Sequence, residues 1–344
     1  MLCVVIMAGG IGSRFWPQST EEKPKQFLKL LGNKTMIQMT YERMHKLVPD
    51  ENIFIVTNSR YVDLIKEQLP SIKDINIICE PCSRNTAPCI LLSTLYIKNL
   101  YQESNIICVS SDSYIAKEDK FLNIIKDANT FVNQEKKAIV TLGITPTRPE
   151  TGYGYIKYQK NDKIPNKVIK FVEKPNLDLA VQYLNSHEYL WNAGMFIFNS
   201  TSMLSELKKF LSQEYNLLKD LPKINDNNYY KYLESNYEKC NKISIDYAVM
   251  EKSTNVYAIP SDIGWDDVGS WKSLERYTKK DKFGNVIKGD VKLIDSHNNV
   301  IYGQGKKIIF LNMDDLFCID SDDAIIVGKK EDLNNVHLLK EEIK

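Results

Sequence analysis

The sequence predicts an α/β protein with a mostly parallel mixed sheet covered by helices on both faces, followed by a small all-β unit. From residue 2 to about 141, short β-branched runs alternate with helical patterns, which is the rhythm of βαβ units. From about Asp281 the pattern changes to short strands broken by glycine and Asp-Asn turns. The length of 344 residues exceeds the roughly 250 to 300 at which one core stops growing. We therefore expect two domains, 1–280 and 281–344, the second ending in a short charged tail.

The elements of the first part follow from the period of the apolar residues. The predicted strands are LCVVI, NIFIVT, INIIC, NIICVS and AIVTLG, at 2–6, 52–57, 75–79, 105–110 and 138–143. The predicted helices cover 35–47, 61–69 and 87–99, and a fourth starts at Glu118. In such a sheet ligands bind beyond the carboxyl ends of the strands, where the polar motifs of this chain lie.

After Pro149 the elements become shorter. Strands are expected at 153–158, 167–174, 194–198 and 256–260, and helices at 176–186, from Thr201, at 244–253 and at 269–277. The lysine- and asparagine-rich stretch 220–241 is expected to form polar helix and loop with a solvated face.

Composition excludes several classes of protein. Lys and Arg number 45 against 44 Asp and Glu, a net charge of +1, which argues against a nucleic-acid binder. No apolar run reaches the roughly 18 residues that a membrane span requires, and the start lacks the basic lead of a secretory signal, so we expect a cytoplasmic protein. The seven cysteines are expected to be reduced and mostly buried. Cys79 and Cys82 form a C-x-x-C pair, which leaves a metal or redox module as an alternative.

The glycine-rich stretch after the first strand is the main candidate for an anion site. Gly9, Gly10 and Gly12 let the backbone turn sharply and approach a phosphate, and Arg14 and Lys25 add positive charge. The stretch lacks the Lys-Ser or Lys-Thr of a P-loop and the third glycine of the dinucleotide fingerprint. It therefore predicts a phosphate site of another kind.

This stretch, AGGIGSRFWPQSTEEKPKQF, resembles the signature of sugar-1-phosphate nucleotidyltransferases, in particular mannose-1-phosphate guanylyltransferases. Further motifs of that family follow in order and cover most of residues 7 to 271: EPCSRNTAP, TGYGYI, FVEKP, WNAGMF, SIDYAVMEK and GWDDVGSW. The resemblance implies a Rossmann-like, GT-A-like catalytic domain and a small C-terminal domain similar to a left-handed β-helix.

The resemblance also implies which residues bind the nucleotide. Arg14 and Lys25 would stabilise the triphosphate and the transition state. Glu80 would accept hydrogen bonds from the ring N–H and amino group of guanine, and Arg84 would anchor a phosphate. The nucleotide-binding residues implied in this way are Gly9, Gly10, Gly12, Glu80, Arg84, Asn85 and Thr86. From the residues alone, 80–88 reads as a capped helix start.

For the metal, the resemblance implies that Asp112 and Asp267 hold Mg²⁺, which binds through one or two carboxylates plus substrate phosphates. The family carries P-A-D-H around the first of these, whereas this chain has Ser-Ser-Asp-Ser. The alternative for Asp267 is the N-cap of the helix that starts near Gly269, and Asp266 is expected to point elsewhere.

For the sugar, the resemblance implies that Gly154 and Asn192 lie at the hexose, that Glu173 binds its hydroxyls and that Lys174 binds its phosphate. Each of these motifs alone has a composition that is common in turns and therefore indicates no particular function. Their order along the chain is what makes them significant.

The function implied is transfer of GMP from GTP to α-D-mannose 1-phosphate, giving GDP-mannose and pyrophosphate by Mg²⁺-assisted in-line attack. Two alternatives stay open: a guanylyltransferase for another manno-configured sugar 1-phosphate, and a silent regulatory homologue that binds nucleotide sugar. No nucleic-acid or membrane partner is expected. The sequence is silent on oligomeric state, although the small β unit offers a surface for a homodimer.

Overall fold

The computed structural model describes residues 1–10, 12–161 and 164–342, so Ile11 of the glycine-rich stretch and the last two residues lie outside the described chain. The chain divides into two compact units. The first combines Met1–Gly9 with Thr40–Trp265, and the second combines Gly10–Met39 with the chain from Asp266 onward. The predicted boundary at residue 280 stays a prediction, and the compact units divide the chain elsewhere.

The strands of the described chain are numbered in order. They are β1 Leu2–Met7, β2 Ile53–Asn58, β3 Ile77–Glu80, β4 Asn105–Ser110, β5 Tyr114–Ile115, β6 Ile139–Ile144, β7 Tyr155–Tyr158, β8 Asn166–Val172, β9 Tyr189–Asn199, β10 Val256–Ser261, β11 Trp265–Asp266, β12 Val286–Lys288, β13 Val291–Ile294, β14 Val300–Tyr302, β15 Ile308–Leu311, β16 Leu316–Asp320 and β17 Ile325–Lys329.

The α-helices of the described chain are numbered in the same way. They are α1 Met36–His45, α2 Val62–Gln68, α3 Thr86–Leu100, α4 Glu118–Gln134, α5 Leu177–Ser186, α6 Ser200–Phe210, α7 Ser212–Leu218, α8 Tyr229–Tyr237, α9 Trp271–Tyr277 and α10 Leu339–Glu342. A π-helix covers Asp246–Met250, and 3-10 turns include Ser13–Phe15, Lys25–Phe27 and Lys330–Leu338. No helix in the described residues is long and apolar enough to cross a membrane.

The first unit is built on one mixed sheet. Among the described residues its nine strands lie in the order β3-β2-β1-β4-β9-β6-β10-β8-β7. The first four pair in parallel, as do β6 and β10. Strand β9 is antiparallel to β4, β6 and β7, and β8 is antiparallel to β10 and β7. All but β8 and β9 therefore run in one direction, as the prediction of a mostly parallel mixed sheet requires.

Both faces of this sheet are covered. Side chains of a strand alternate between the faces, and in β1 all four central residues are fully buried. Cys3 and Val5 lie in a core cluster with residues of α3 and α6, while Val4 and Ile6 fill the opposite side. This two-sided burial explains why the strand reads as a continuous apolar run.

The polar motifs of the first unit lie at the carboxyl ends of neighbouring parallel strands. Gly9 follows β1, Glu80 is the last residue of β3, and Asp112 follows β4. Met7 of β1 pairs in register with Ser110 of β4, so these strands end at the same level. The sheet thus brings the motifs to one edge, as predicted.

The stretch 220–241 has the solvated face that was predicted for its charges, since the charged residues of α8 are exposed. The opposite face of α8, which was not predicted, places Tyr229, Leu233 and Tyr237 in the core with α3. Their spacing of four residues places them on one face of a helix. The many lysines and asparagines of the stretch hid this apolar stripe.

The second unit contains short parallel strands at a repeat of 14 to 17 residues. Val286 of β12 pairs with Val300 of β14, which pairs with Phe317 of β16, and β13 pairs in parallel with β15. Asn285 Oδ1 accepts the backbone N–H of Asn299 at 2.9 Å, and Asn299 Oδ1 accepts that of Leu316 at 2.9 Å. These amides join successive turns of a coil, as in a β-solenoid, while the left-handed sense stays a prediction.

The short charged tail predicted at the end of the second domain stays a prediction, but the chain there is ordered. Residues 330–342 are helical, and Leu333 and Val336 are each only 2% exposed. The segment contacts the turn Ser13–Phe15 of the glycine-rich stretch and helix α9 within the second unit. Its charges lie between apolar residues at helical spacing, so its composition alone gave no sign of the packed helix.

Candidate active site

In the second unit, Lys25 and Asp267 lie together although they are far apart in sequence. Lys25 is only 4% exposed, and its Nζ donates to the backbone oxygen of Asp267 at 2.7 Å. The same ammonium lies 5.7 Å from the ring centroid of Phe15. The glycine-rich segment and the tryptophan motif, predicted to act together from the resemblance alone, are therefore in contact.

Gly12 allows the glycine-rich turn to pack closely against the side chain of Lys25. Its φ is 68°, in the left-handed region, and a Cβ added there would lie 2.3 Å from Cβ of Lys25. Gln26 donates from Nε2 to the oxygen of Gly10 at 2.9 Å, which holds the other end of the turn. Arg14 is exposed on the turn Ser13–Phe15.

The carboxylate of Asp267 is half-buried, and its Oδ1 accepts the backbone N–H of Gly269 at 3.0 Å. The alternative reading as a helix N-cap is wrong, because Ser270 caps α9 in a capping box with Ser273. Asp266 points elsewhere, as predicted: its Oδ2 accepts from Arg276 at 2.7 Å and from Tyr277 at 3.1 Å.

In the first unit, Glu80 is a buried carboxyl group at the end of β3. It is 5% exposed, and the hydroxyl of Tyr237 donates to its Oε1. Its Oε2 faces the backbone of Gly9, where an added Cβ would lie 3.1 Å away. Burial raises the pKa of Glu80 to about 7, and the hydrogen bond from Tyr237 acts in the opposite direction. The carboxyl group is thus poised to change charge near neutral pH.

The neighbours of Glu80 in its motif are tied to the protein itself. Arg84 donates from Nη2 to the backbone oxygen of Glu238. Asn85, at φ 68°, is the N-cap of α3 and its Oδ1 accepts from the N–H of Thr86 at 2.8 Å. Thr86 Oγ1 accepts the N–H of Ile245 at 2.8 Å. The capped helix start read from the residues is observed, and the roles of these three residues at a nucleotide stay proposals.

Asp112 lies in the loop that leaves β4. The loop is fixed by the N–H of Ser111, which donates to the oxygen of Met7 at 3.0 Å, and by Ser110 and Ser113, whose hydroxyls lie 2.6 Å apart. The serines that replace the family's Pro, Ala and His thus bond to each other and to β1. Asp112 remains half-exposed.

The two predicted metal ligands lie in different units and are each a carboxylate of the kind that binds hard divalent cations. Asp112 of the first unit and Asp267 of the second are both partly accessible, and oxygen ligands are the ones Mg²⁺ prefers. In the described part of the chain no three His, Cys, Asp or Glu side chains cluster as a closed metal site.

The predicted sugar residues meet in one cluster of the first unit. A Cβ on Gly154 would lie 2.6 Å from Oε2 of Glu173 and 3.4 Å from Cβ of Asn192. Glu173 is 10% exposed, and its Oε1 pairs at 3.0 Å with Nζ of Lys174, which is 62% exposed. The absence of a side chain at Gly154 thus leaves room for the carboxylate of Glu173, which lies between this glycine and an accessible cation.

Asp246 completes this cluster and was missed from the sequence. Asn192 donates from Nδ2 to Asp246 Oδ1 at 2.9 Å, and its own Oδ1 accepts from Gly194 at 3.0 Å and Thr141 at 3.3 Å. These partners fix the orientation of the amide. Burial, then the charge of Glu173, raises the pKa of Asp246 to about 6. Its position in the motif SIDYAVMEK was the available signal.

The cysteines do not support the metal or redox alternative. Cys79 and Cys82 are free and half-buried, and burial raises the pKa of both thiols. Reactive and metal-binding cysteines have a lowered pKa instead.

Comparison with known proteins agrees with this geometry. Residues 3–282 match the family described as nucleotidyl transferase. A mannose-1-phosphate guanylyltransferase 2 of Escherichia coli O157:H7 is 38% identical over 358 residues, which cover 100% of this chain and 73% of that protein. A mannose-1-phosphate guanylyltransferase of Salmonella muenchen is 39% identical, covering 97% of this chain and 72% of its own.

A solved structure of a mannose-1-phosphate geranyltransferase from Thermus thermophilus superposes with a TM-score of 0.88 at 30% identity and covers 99% of both chains. With this fold and these sites, the chain belongs to the nucleotidyl transferase family. The relatives that it resembles over nearly its full length are mannose-1-phosphate guanylyltransferases, so the resemblance read from the sequence is confirmed.

Proposed function

We propose that the protein transfers GMP from GTP to α-D-mannose 1-phosphate, giving GDP-mannose and pyrophosphate. The observation that carries the proposal is the 2.7 Å hydrogen bond from Lys25 Nζ to the backbone oxygen of Asp267, which joins a cation beside a glycine-rich turn to the segment that carries a predicted metal ligand. The names of relatives 38% and 39% identical supply the base and the sugar.

In the proposed reaction a phosphate oxygen of mannose 1-phosphate attacks the α-phosphorus of GTP. The new phosphorus–oxygen bond forms as the bond to the bridging oxygen breaks, and pyrophosphate leaves with that electron pair. Such a transfer requires positioning and charge stabilisation rather than a protein nucleophile.

The residues divide these tasks. Lys25 and Arg14 neutralise charge on the triphosphate and the leaving group, and backbone amides at Gly9, Gly10 and Gly12 approach phosphate oxygens. Glu80 reads the base, with Arg84, Asn85 and Thr86 beside it. Glu173, Asn192 and Gly154 bind the hexose and Lys174 its phosphate. Mg²⁺, held by Asp112 and Asp267, would neutralise phosphate charge when bound. A cytoplasmic location and a homodimer are also part of the proposal.

The test is pyrophosphate release with each of four nucleoside triphosphates and several sugar 1-phosphates, including mannose and a manno-configured heptose. We expect the highest kcat/KM for GTP with mannose 1-phosphate. A higher value for the heptose ester would favour the related guanylyltransferase. Binding of GDP-mannose without any turnover would favour the regulatory homologue.

A further inference from the structure

We infer that Tyr237 is a positioning residue that holds Glu80 as the reader of guanine, and that selection of GTP over ATP depends on this phenol. The inference rests on the proposed function and deepens it. Tyr237 belongs to the stretch 220–241, which carries no motif of the resemblance, and it reaches Glu80 across 157 residues of sequence.

The geometry leaves one oxygen of Glu80 for a ligand. Tyr237 is fully buried, and its hydroxyl donates to Oε1. The other oxygen, Oε2, borders the backbone of Gly9 at the carboxyl edge of β1. Since Gly9 has no side chain, this oxygen can approach the Gly9 backbone, which lies at the edge of the sheet where nucleotides bind in open α/β sheets.

The charge of Glu80 decides which base it accepts. An ionised carboxylate is only an acceptor, which matches the N1–H and the amino group of guanine. A protonated carboxyl donates instead, which matches N1 of adenine, an acceptor. The hydrogen bond from Tyr237 favours the ionised form of the buried group and therefore favours guanine.

The other titratable groups near Glu80 are Cys89 of α3 and Cys82 of the loop after β3. Burial raises the pKa of both thiols and that of Tyr237, so all three are neutral at pH 7. Near neutral pH the titrating group at this position is thus Glu80 itself.

The test compares Tyr237→Phe with Tyr229→Phe. Tyr229 lies on the same helix, and its buried hydroxyl has no hydrogen-bond partner within the described chain. The control therefore removes the same hydroxyl oxygen without removing a hydrogen bond. The ratio of kcat/KM for GTP to that for ATP is measured with mannose 1-phosphate between about pH 6 and 8.

We expect the wild-type ratio to rise with pH through about 7, where Glu80 loses its proton. In Tyr237→Phe the rise moves to higher pH and the ratio at pH 7 falls about tenfold, mainly through KM for GTP. Tyr229→Phe keeps the wild-type profile. A Tyr237→Phe protein with the wild-type ratio and midpoint would overturn the inference.

Two further measurements keep the inference testable. If Tyr237→Phe does not fold, the wild-type profile is compared with that of Glu80→Gln, which we expect to be flat; a flat wild-type profile overturns the inference. If the wild type releases no pyrophosphate, the proposed function fails, whereas equilibrium titration of GTP and ATP over the same pH range still decides the role of Tyr237.

Discussion

Lys25 is a buried ammonium whose contact with the backbone of Asp267 orients it beside the glycine-rich turn. Replacing Lys25 or Asp267 by alanine should lower kcat at least about 100-fold, because each removes one preorganised charge from the transition state. Pyrophosphate release measures the effect. The matched control is Lys23→Ala, an exposed lysine two positions away, which should stay near wild type. Near-normal turnover of Lys25→Ala would remove that residue from the mechanism.

Burial of the Asp246 carboxyl group lowers the free energy of unfolding at neutral pH. Its pKa in the fold is about 6 against an ordinary 3.8, so between these values the folded protein holds more protons than the unfolded chain. The free energy of unfolding therefore falls as pH rises through this window. Asp246→Asn should remove the loss and stabilise the protein at pH 7.5 by about 3 kcal/mol, with little gain at pH 4.

Asp246→Ala, which removes the acceptor of the Asn192 amide, should raise KM for mannose 1-phosphate, because Asp246 orients Asn192 in the sugar cluster. Thermal unfolding at both pH values and steady-state kinetics make the check, with exposed Asp127→Asn as control. Equal destabilisation of Asp246→Asn at both pH values would show that the carboxyl group is not held protonated.

At the scale of residues, the sequence predicts functional residues that lie in recognisable motifs. It does not predict the residues that form hydrogen bonds with them. Glu80 and Asn192 could be found, but Tyr237 and Asp246, which bond to them, could not be assigned roles. Such pairs form only when distant segments fold together, across 157 and 54 residues here. A single sequence contains no local pattern that records the pairing.

At the scale of elements, the helical segment Lys330–Leu338 supports the turn that carries Arg14. Leu333 is 2% exposed, so Leu333→Ala should lower the stability of the second unit by about 2 to 4 kcal/mol through cavity formation. Leu338, 58% exposed on the same segment, provides the control, and Leu338→Ala should be close to neutral. Chemical denaturation measures both, and equal effects of the two variants would contradict the packing of this segment.

Regular elements were predictable where the apolar period was clear. Strand β4 has the predicted bounds, and α3 starts within one residue of its prediction. The buried residues that were not predicted lie in the stretch 220–241 and at residues 330–342, where charged and amide side chains outnumber the apolar ones. In both places a few buried residues at helical spacing decide the structure, because burial of apolar surface outweighs composition.

At the scale of the molecule, Gly10–Met39 belongs to the same compact unit as the chain from Asp266 onward. The segments on either side of it in sequence, Met1–Gly9 and the chain from Thr40, belong to the other unit, which contains the large sheet. A chain ending at residue 280 would keep this segment but lose β12 to β17 and the helical segment after them. We therefore expect the truncated protein to lose turnover and to be cleaved within 10–39 by limited proteolysis, since removal of packing partners permits local unfolding. A chain ending at Leu338, which retains Leu333 and Val336, should resist cleavage there. If the chain of 280 residues unfolds at the wild-type temperature with full activity, the boundary predicted from the sequence is the correct domain boundary.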